Sequence, residues 1–216
     1  MKIVSLNIGK KTSIEWRGKE VQTGIFKYPV KGPLMLGQTD VVGDAVVDRK
    51  YHGGIDKACY LFSSTHYPSW QKKFPNLDWQ YGMFGENITI ENLNEADFFI
   101  GDILRIGGAT VQISQPRQPC FKLGVRFETQ TVLKKFIAAN QPGIYVRVFE
   151  SATVNVADSI ELIERPHNSI RLMEVWNLLY GPNPDEQFLQ FALDYPLLAE
   201  GCKDTLRKVQ KNKFGK

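Results

Sequence analysis

From Lys2 to Glu164 the chain is a succession of short runs whose period and punctuation suit strands, and this limits its fold more than any other feature of the 216 residues. Lys2 to Ile8 alternates apolar and polar side chains. Thr12 to Trp16 and Glu20 to Phe26 flank Arg17-Gly18-Lys19, the pattern of a hairpin. Further runs follow at Ala58 to Ser63, Asn87 to Ile90, Asp102 to Ile106, Thr110 to Gln115, Gly143 to Glu150 and Ser159 to Glu164, with glycine and proline in many of the gaps. Two helices interrupt them. Ser64 or Thr65 caps one that reaches Phe74 and tolerates Pro68 in its first turn. Thr129 to Asn140 places Val132, Leu133, Phe136 and Ile137 on one face and stops at Pro142-Gly143. Many short strands with two inserted helices predict a closed or nearly closed β-barrel, mainly β with helices added, in the α+β class.

At Arg165-Pro166-His167-Asn168 the texture changes. Ser169 starts a helix to Tyr180, Gly181-Pro182-Asn183-Pro184 breaks it, Asp185 to Leu193 begins a second, and Leu197 to about Lys211 forms a third. The expected organisation is a barrel domain over residues 1–166 and a small three-helix C-terminal domain over 167–216, too small to stand alone.

Charge narrows the function. Net charge is +4, but Cys202 to Lys216 carries six basic residues and one acid, so the rest of the chain is −1. A body of that charge does not carry a nucleic-acid-binding footprint, and a short basic tail is commonly a solvated one. Cys59, Cys120 and Cys202 cannot all pair and none are spaced CxxC, which suits a reducing compartment. The start, MKIVSLNIGKK, matches neither a signal peptide nor a membrane span. These features predict a soluble cytoplasmic protein that does not span a membrane.

Three segments hold residues suited to chemistry. In Gln115-Pro116-Arg117-Gln118-Pro119-Cys120-Phe121-Lys122, two prolines stiffen the chain and a thiol lies between two cations that favour thiolate if they are close. A lone cysteine is more often simply packed, and the flanking charges are what set this one apart. In Asp48-Arg49-Lys50-Tyr51-His52-Gly53-Gly54-Ile55-Asp56-Lys57, adjacent glycines allow close backbone approach to a ligand and the cations suit a phosphate, although a solvated turn explains the same residues. In Phe84-Gly85-Glu86-Asn87, Asn87 is placed either to bond a heterocycle or to tie down a loop. Arg147 is a charge in an otherwise apolar run, which solvent or a ligand phosphate would each explain. His52, His66 and His167 lack the spacing of a zinc or iron site, and no cysteine cluster suits an iron–sulfur centre.

In this order, KYHGGIDKA (Lys50 to Ala58), FGENITIENLNEADFFIGDILRIG (Phe84 to Gly107) and VQISQPRQPCFKL (Val111 to Leu123) resemble the MOSC family, named after the molybdenum cofactor sulfurase C-terminal domain, and its YiiM-like branch in particular. The resemblance implies a barrel related to the one inserted in pyruvate kinase, followed by the branch's three-helix extension. It also implies a bound molybdenum cofactor (molybdopterin), with Cys120 as catalytic residue and metal ligand. The same resemblance makes Lys27, His52, Gly53, Gly54, Lys57, Asn87, Arg117, Lys122 and Arg147 cofactor contacts. Ile55 stands where the family pattern has proline after the paired glycines. Members of the family reduce N-hydroxylated compounds, including hydroxylaminopurines and amidoximes, so a small N-hydroxylated substrate and a separate electron-donor protein are expected partners. Three other functions fit the residues: a sulfur carrier with a Cys120 persulfide, a non-enzymatic binder using the basic tail, and a pyridoxal-phosphate site built on a lysine.

Overall fold

The computed structural model describes residues 1–47 and 53–215. The chain runs through β1 (Ile3–Gly9), β2 (Thr12–Trp16), β3 (Lys19–Thr23), β4 (Lys27–Pro29), β5 (Leu34–Leu36) and β6 (Cys59–Ser63) to helix α1 (Tyr67–Lys73), then β7 (Ile88–Ile90), β8 (Ile103–Ile106) and β9 (Ala109–Pro116). Helices α2 (Phe121–Arg126) and α3 (Thr131–Ala139) precede β10 (Ile144–Glu150), β11 (Ala152–Val154) and β12 (Ile160–Glu164). Helices α4 (Leu172–Tyr180), α5 (Glu186–Asp194) and α6 (Glu200–Phe214) follow. The strand runs form where alternation and turn residues place them. Two helices begin later than expected: α4 is capped from Arg171 and α6 starts at Glu200.

Eight strands form one sheet in the order β12-β8-β9-β10-β6-β7-β1-β4, antiparallel throughout except for β6 beside β7. One end of this ladder, β12, meets the start of β1, the strand next to the other end. Lys2 bridges Ser159, Ile3 N–H donates to Asp158 O at 3.1 Å, and Ile160 N–H donates to Met1 O at 2.9 Å. The sheet is therefore a nearly closed barrel, with a seam of single backbone bonds where a full strand pair would complete the ring. The hairpin β2–β3 stands apart as its own two-stranded sheet.

Strand β6 shows how sequence period divides the interior. Side chains alternate across a strand, and this one is buried on both faces, so two cores are needed. Cys59 and Leu61 join Ile88, Ile113, Ile144 and Val146 inside the barrel. Tyr60 and Phe62 face the other way, into an aromatic core with Trp70, Phe84, Phe127 and Phe136 from α1, α2, α3 and the loop before β7. The C-terminal helices continue the first core with Leu172, Val175, Leu189, Cys202 and Leu206, while Trp176 of α4 enters the second. No helix of the described residues is long and apolar enough to cross a membrane.

Gly143 immediately precedes β10 at φ +66°, and its N–H donates to Glu95 Oε1 at 3.0 Å. A Cβ there would lie 2.5 Å from Leu61 O and 2.7 Å from the Tyr60 ring. Gly143→Ala is expected to destabilise the fold by about 2–3 kcal/mol, from the left-handed backbone and the overlap together. The check is the shift in urea midpoint at unchanged m-value.

Candidate functional site

The segment after β9 builds the reactive end of the molecule. Pro116 is the last residue of the strand, paired with Ile144, and Pro119 keeps the chain extended until α2 begins. Cys120 is the residue before the first turn of α2, with φ −128° and ψ 170°, so its side chain stands at the helix N-terminus. The sequence predicts no helix here, because six residues are too few to show a period. Cys120 is half-buried and lines a cleft that opens to solvent, with about 660 Å³ of empty space when the solvent at its mouth is counted.

Arg117 is 4% exposed and lines the same cleft. Its guanidinium lies 5.0 Å from the centre of the Phe136 ring and 5.5 Å from that of Tyr60. Among the described residues its Nη1 is buried without a hydrogen-bond partner. An orphaned charged donor costs about 1–3 kcal/mol, which an anion bound in the cleft would recover. Lys27, Lys57 and Lys122 line the cleft as well.

Two of the expected contacts owe part of their position to a residue that the sequence analysis does not single out. Asp44 pairs with Lys27, accepts from Gly9 N–H at 2.8 Å and accepts from Asn87 Nδ2 at 2.9 Å. Asn87 in turn accepts from Tyr60 N–H at 3.2 Å, so it both lines the cleft and ties β6 to Asp44. Tyr60 and Tyr145 complete the wall. Burial pushes the Tyr145 phenol up to about 12, with Arg117 opposing that shift. The signal for Asp44 was faint: one acid after Gly43, with nothing to set it apart from Asp40 and Asp48 on either side.

Gly53 lines the cleft at φ +78°, and a Cβ on it would come 2.4 Å from Val46 Cγ1, so the close approach requires glycine. Gly54, at φ +79°, does not line the cleft; its N–H donates to Thr39 O. His52 lies outside the described residues. Arg147 is also away from the cleft. Its Nε donates to Asp56 Oδ1 at 2.6 Å, and its Nη1 donates to Gln112 Oε1 at 3.0 Å and to Leu197 O at 2.8 Å. The charge in an apolar strand is engaged by this internal network.

Burial pushes the thiols of Cys59 and Cys202 up to about 12, which keeps both protonated, and leaves Cys120 as the cysteine of the cleft. Burial also pushes the Lys57 ammonium below its ordinary value, against the opposing influence of Cys202, Asp56 and Cys120. Among the described residues no group of three or more His, Cys, Asp and Glu could hold a metal ion unaided. The cleft is thus a cationic, aromatic-walled recess with one thiol, a combination suited to an anionic ligand that also carries a soft, thiophilic centre.

The MOSC domain profile matches residues 48–161. The uncharacterized protein YflK of Bacillus subtilis is 34% identical over 206 residues, covering 95% of this chain and 93% of that protein. A protein named Reductase from Gibberella moniliformis is 30% identical over 200 residues; the match covers 90% of this chain but 36% of that longer protein. The crystal structure of YiiM from Geobacillus stearothermophilus superposes with a TM-score of 0.79 at 29% identity, covering 96% of this chain and 98% of that one.

Proposed function

The chain belongs to the MOSC domain family, and from that premise we propose that it is a molybdenum-cofactor-dependent reductase of N-hydroxylated compounds such as hydroxylaminopurines and amidoximes. The observation that carries this reading is the placement of Cys120 in one cleft with a buried Arg117 whose Nη1 has no partner among the described residues. The residues present fit the cofactor. A thiolate is the protein ligand expected for molybdenum already held by dithiolene sulfurs, and the unpaired guanidinium N–H suits the pterin's phosphate. The relative named Reductase supports redox chemistry in the wider group.

When bound, the cofactor supplies oxygen-atom removal from the N–O bond, with the balance R–NHOH + 2 e⁻ + 2 H⁺ → R–NH₂ + H₂O. Cys120 would hold the metal through Sγ. Arg117, Lys122 and Lys57 would set the phosphate end, and the Gly53 backbone would admit it closely. Lys27 is offset by Asp44 and serves more to fix the wall than to add charge. Tyr60, Tyr145 and Phe84 line the cleft and exclude water from its inner side. A separate electron-donor protein provides the two electrons.

Protein purified from cells that make the cofactor should contain about one molybdenum per chain and reduce benzamidoxime with reduced methyl viologen. A preparation that stays metal-free after cofactor reconstitution would overturn the proposal. One added sulfur on Cys120 after incubation with a cysteine desulfurase, without bound metal, would replace it with sulfur transfer.

A further inference from the structure

The last helix begins against the site, not away from it. Glu200 N–H donates to Asp56 Oδ2 at 3.3 Å, and the other oxygen of that carboxylate is held by Arg147. Ser114 Oγ donates to the Asp56 carbonyl at 2.5 Å, while Ala199 N–H donates to Ser114 O at 3.2 Å. Arg147 reaches Leu197 O in the same turn. Residues 197–202 are therefore laced to the 3₁₀ turn Ile55–Lys57, which carries Lys57 into the cleft. Cys202 bonds the side chain of Gln118, two residues before Cys120.

Gly201 gives this contact a purpose. It is the second residue of α6, and its φ is not positive, so no backbone constraint calls for glycine there. Inside a helix glycine costs about 1 kcal/mol against alanine. A Cβ at Gly201 would lie 3.5 Å from Lys57 Nζ and 3.9 Å from its Cε. The glycine leaves the lysine room to lie across the start of the helix, and a bulky side chain turned toward the lysine would extend into that space.

We propose that the first turn of α6 backs the Lys57 side of the site, with Gly201 and Asp56 as positioning residues that seat the Lys57 ammonium beside Cys120. This rests on reading the Cys120 cleft as the reactive centre. Asp56 fixes the turn that carries Lys57, Arg147 fixes Asp56, and Gly201 leaves the seat open. The three-helix extension then supports the cleft from behind as well as filling the core.

The test uses the full-length, metal-free protein and alkylates Cys120 with iodoacetate and, separately, with iodoacetamide. The ratio of the two rates reports positive charge at the sulfur, because the reagents differ chiefly in charge, and changes in thiolate fraction or exposure largely cancel. Lys57→Met should lower the ratio about threefold or more, the effect of one nearby cation in a partly screened cleft. Gly201→Leu should lower it by a similar factor and add little in the double variant, while its melting temperature holds or rises because leucine favours the helix. Asn212→Leu, an exposed change on the same helix, controls for added apolar surface. A Gly201→Leu ratio equal to wild type would overturn the proposal, as would an unchanged ratio in Lys57→Met. Absence of molybdenum from the purified protein would remove the reductase reading and leave this result intact.

Discussion

Cys120→Ala is expected to cut bound molybdenum to less than about a tenth of wild type and amidoxime turnover by about 100-fold or more, a loss of at least about 2.7 kcal/mol of transition-state stabilisation. Stability should scarcely change. Cys120 is half-buried at the mouth of a cleft, so trimming it removes little packing, within about 0.5 kcal/mol. Cys120→Ser separates ligation from shape: the hydroxyl occupies nearly the same volume but is a hard, un-ionised donor, and it should fail like alanine. Metal content by plasma mass spectrometry and turnover with reduced methyl viologen check both variants. A serine variant that keeps wild-type metal and rate would show that the sulfur is not the ligand.

The largest stability effect is expected at Glu86. Its carboxylate is fully buried and accepts from Tyr67 Oη, Gly82 N–H at 2.9 Å, Phe84 N–H at 3.1 Å and Thr89 Oγ1 at 3.0 Å. Four donors thus converge on one acid, which shapes the turn between Gly82 and Gly85 that carries Phe84 into the cleft wall. Glu86→Ala leaves those donors without an acceptor and should cost about 3–5 kcal/mol, read from the urea midpoint. The pH dependence has a definite sign. Burial raises the carboxyl above its ordinary value, so the group's contribution is fully present below the unfolded value and declines as pH rises through the raised folded one. Glu86→Gln should lack that component, and its stability-versus-pH curve should be flatter above the unfolded value. An identical slope in wild type and Glu86→Gln would refute the assignment.

Much of the fold was legible because it rests on local period. Alternation located β1, short runs located β6 and β9, and Asp185 marked the start of α5 as the side chain that caps it through Phe188 N–H. Of the short pieces, β7 was legible and the others were not. β4, β5 and β11 have three residues each, and α2 has six, too few for a pattern to stand above chance. The site was legible where several chemical residues crowd a short stretch, as around Arg117 and Cys120. It was not legible where distant segments meet. Nothing near Asp44 in the chain announces that it will face Lys27 and Asn87, and nothing near Arg147 announces Asp56, 91 positions away. A charge inside a strand signals a partner without saying whether it is a ligand or another part of the chain.

The seam of the barrel also sets an order of events during synthesis. The first three residues bond to Asp158 and Ile160, so the ring cannot close until about 160 residues have left the ribosome. At about 5–20 residues per second, the edge of β1 waits on the order of 10–30 s for that partner. An open edge of this kind is a template for pairing with other chains. Slow translation of the middle of the gene, or a bulky group fused directly to Met1, should therefore lower the yield of soluble protein by prolonging or blocking closure, with no change in the stability of the molecules that do fold.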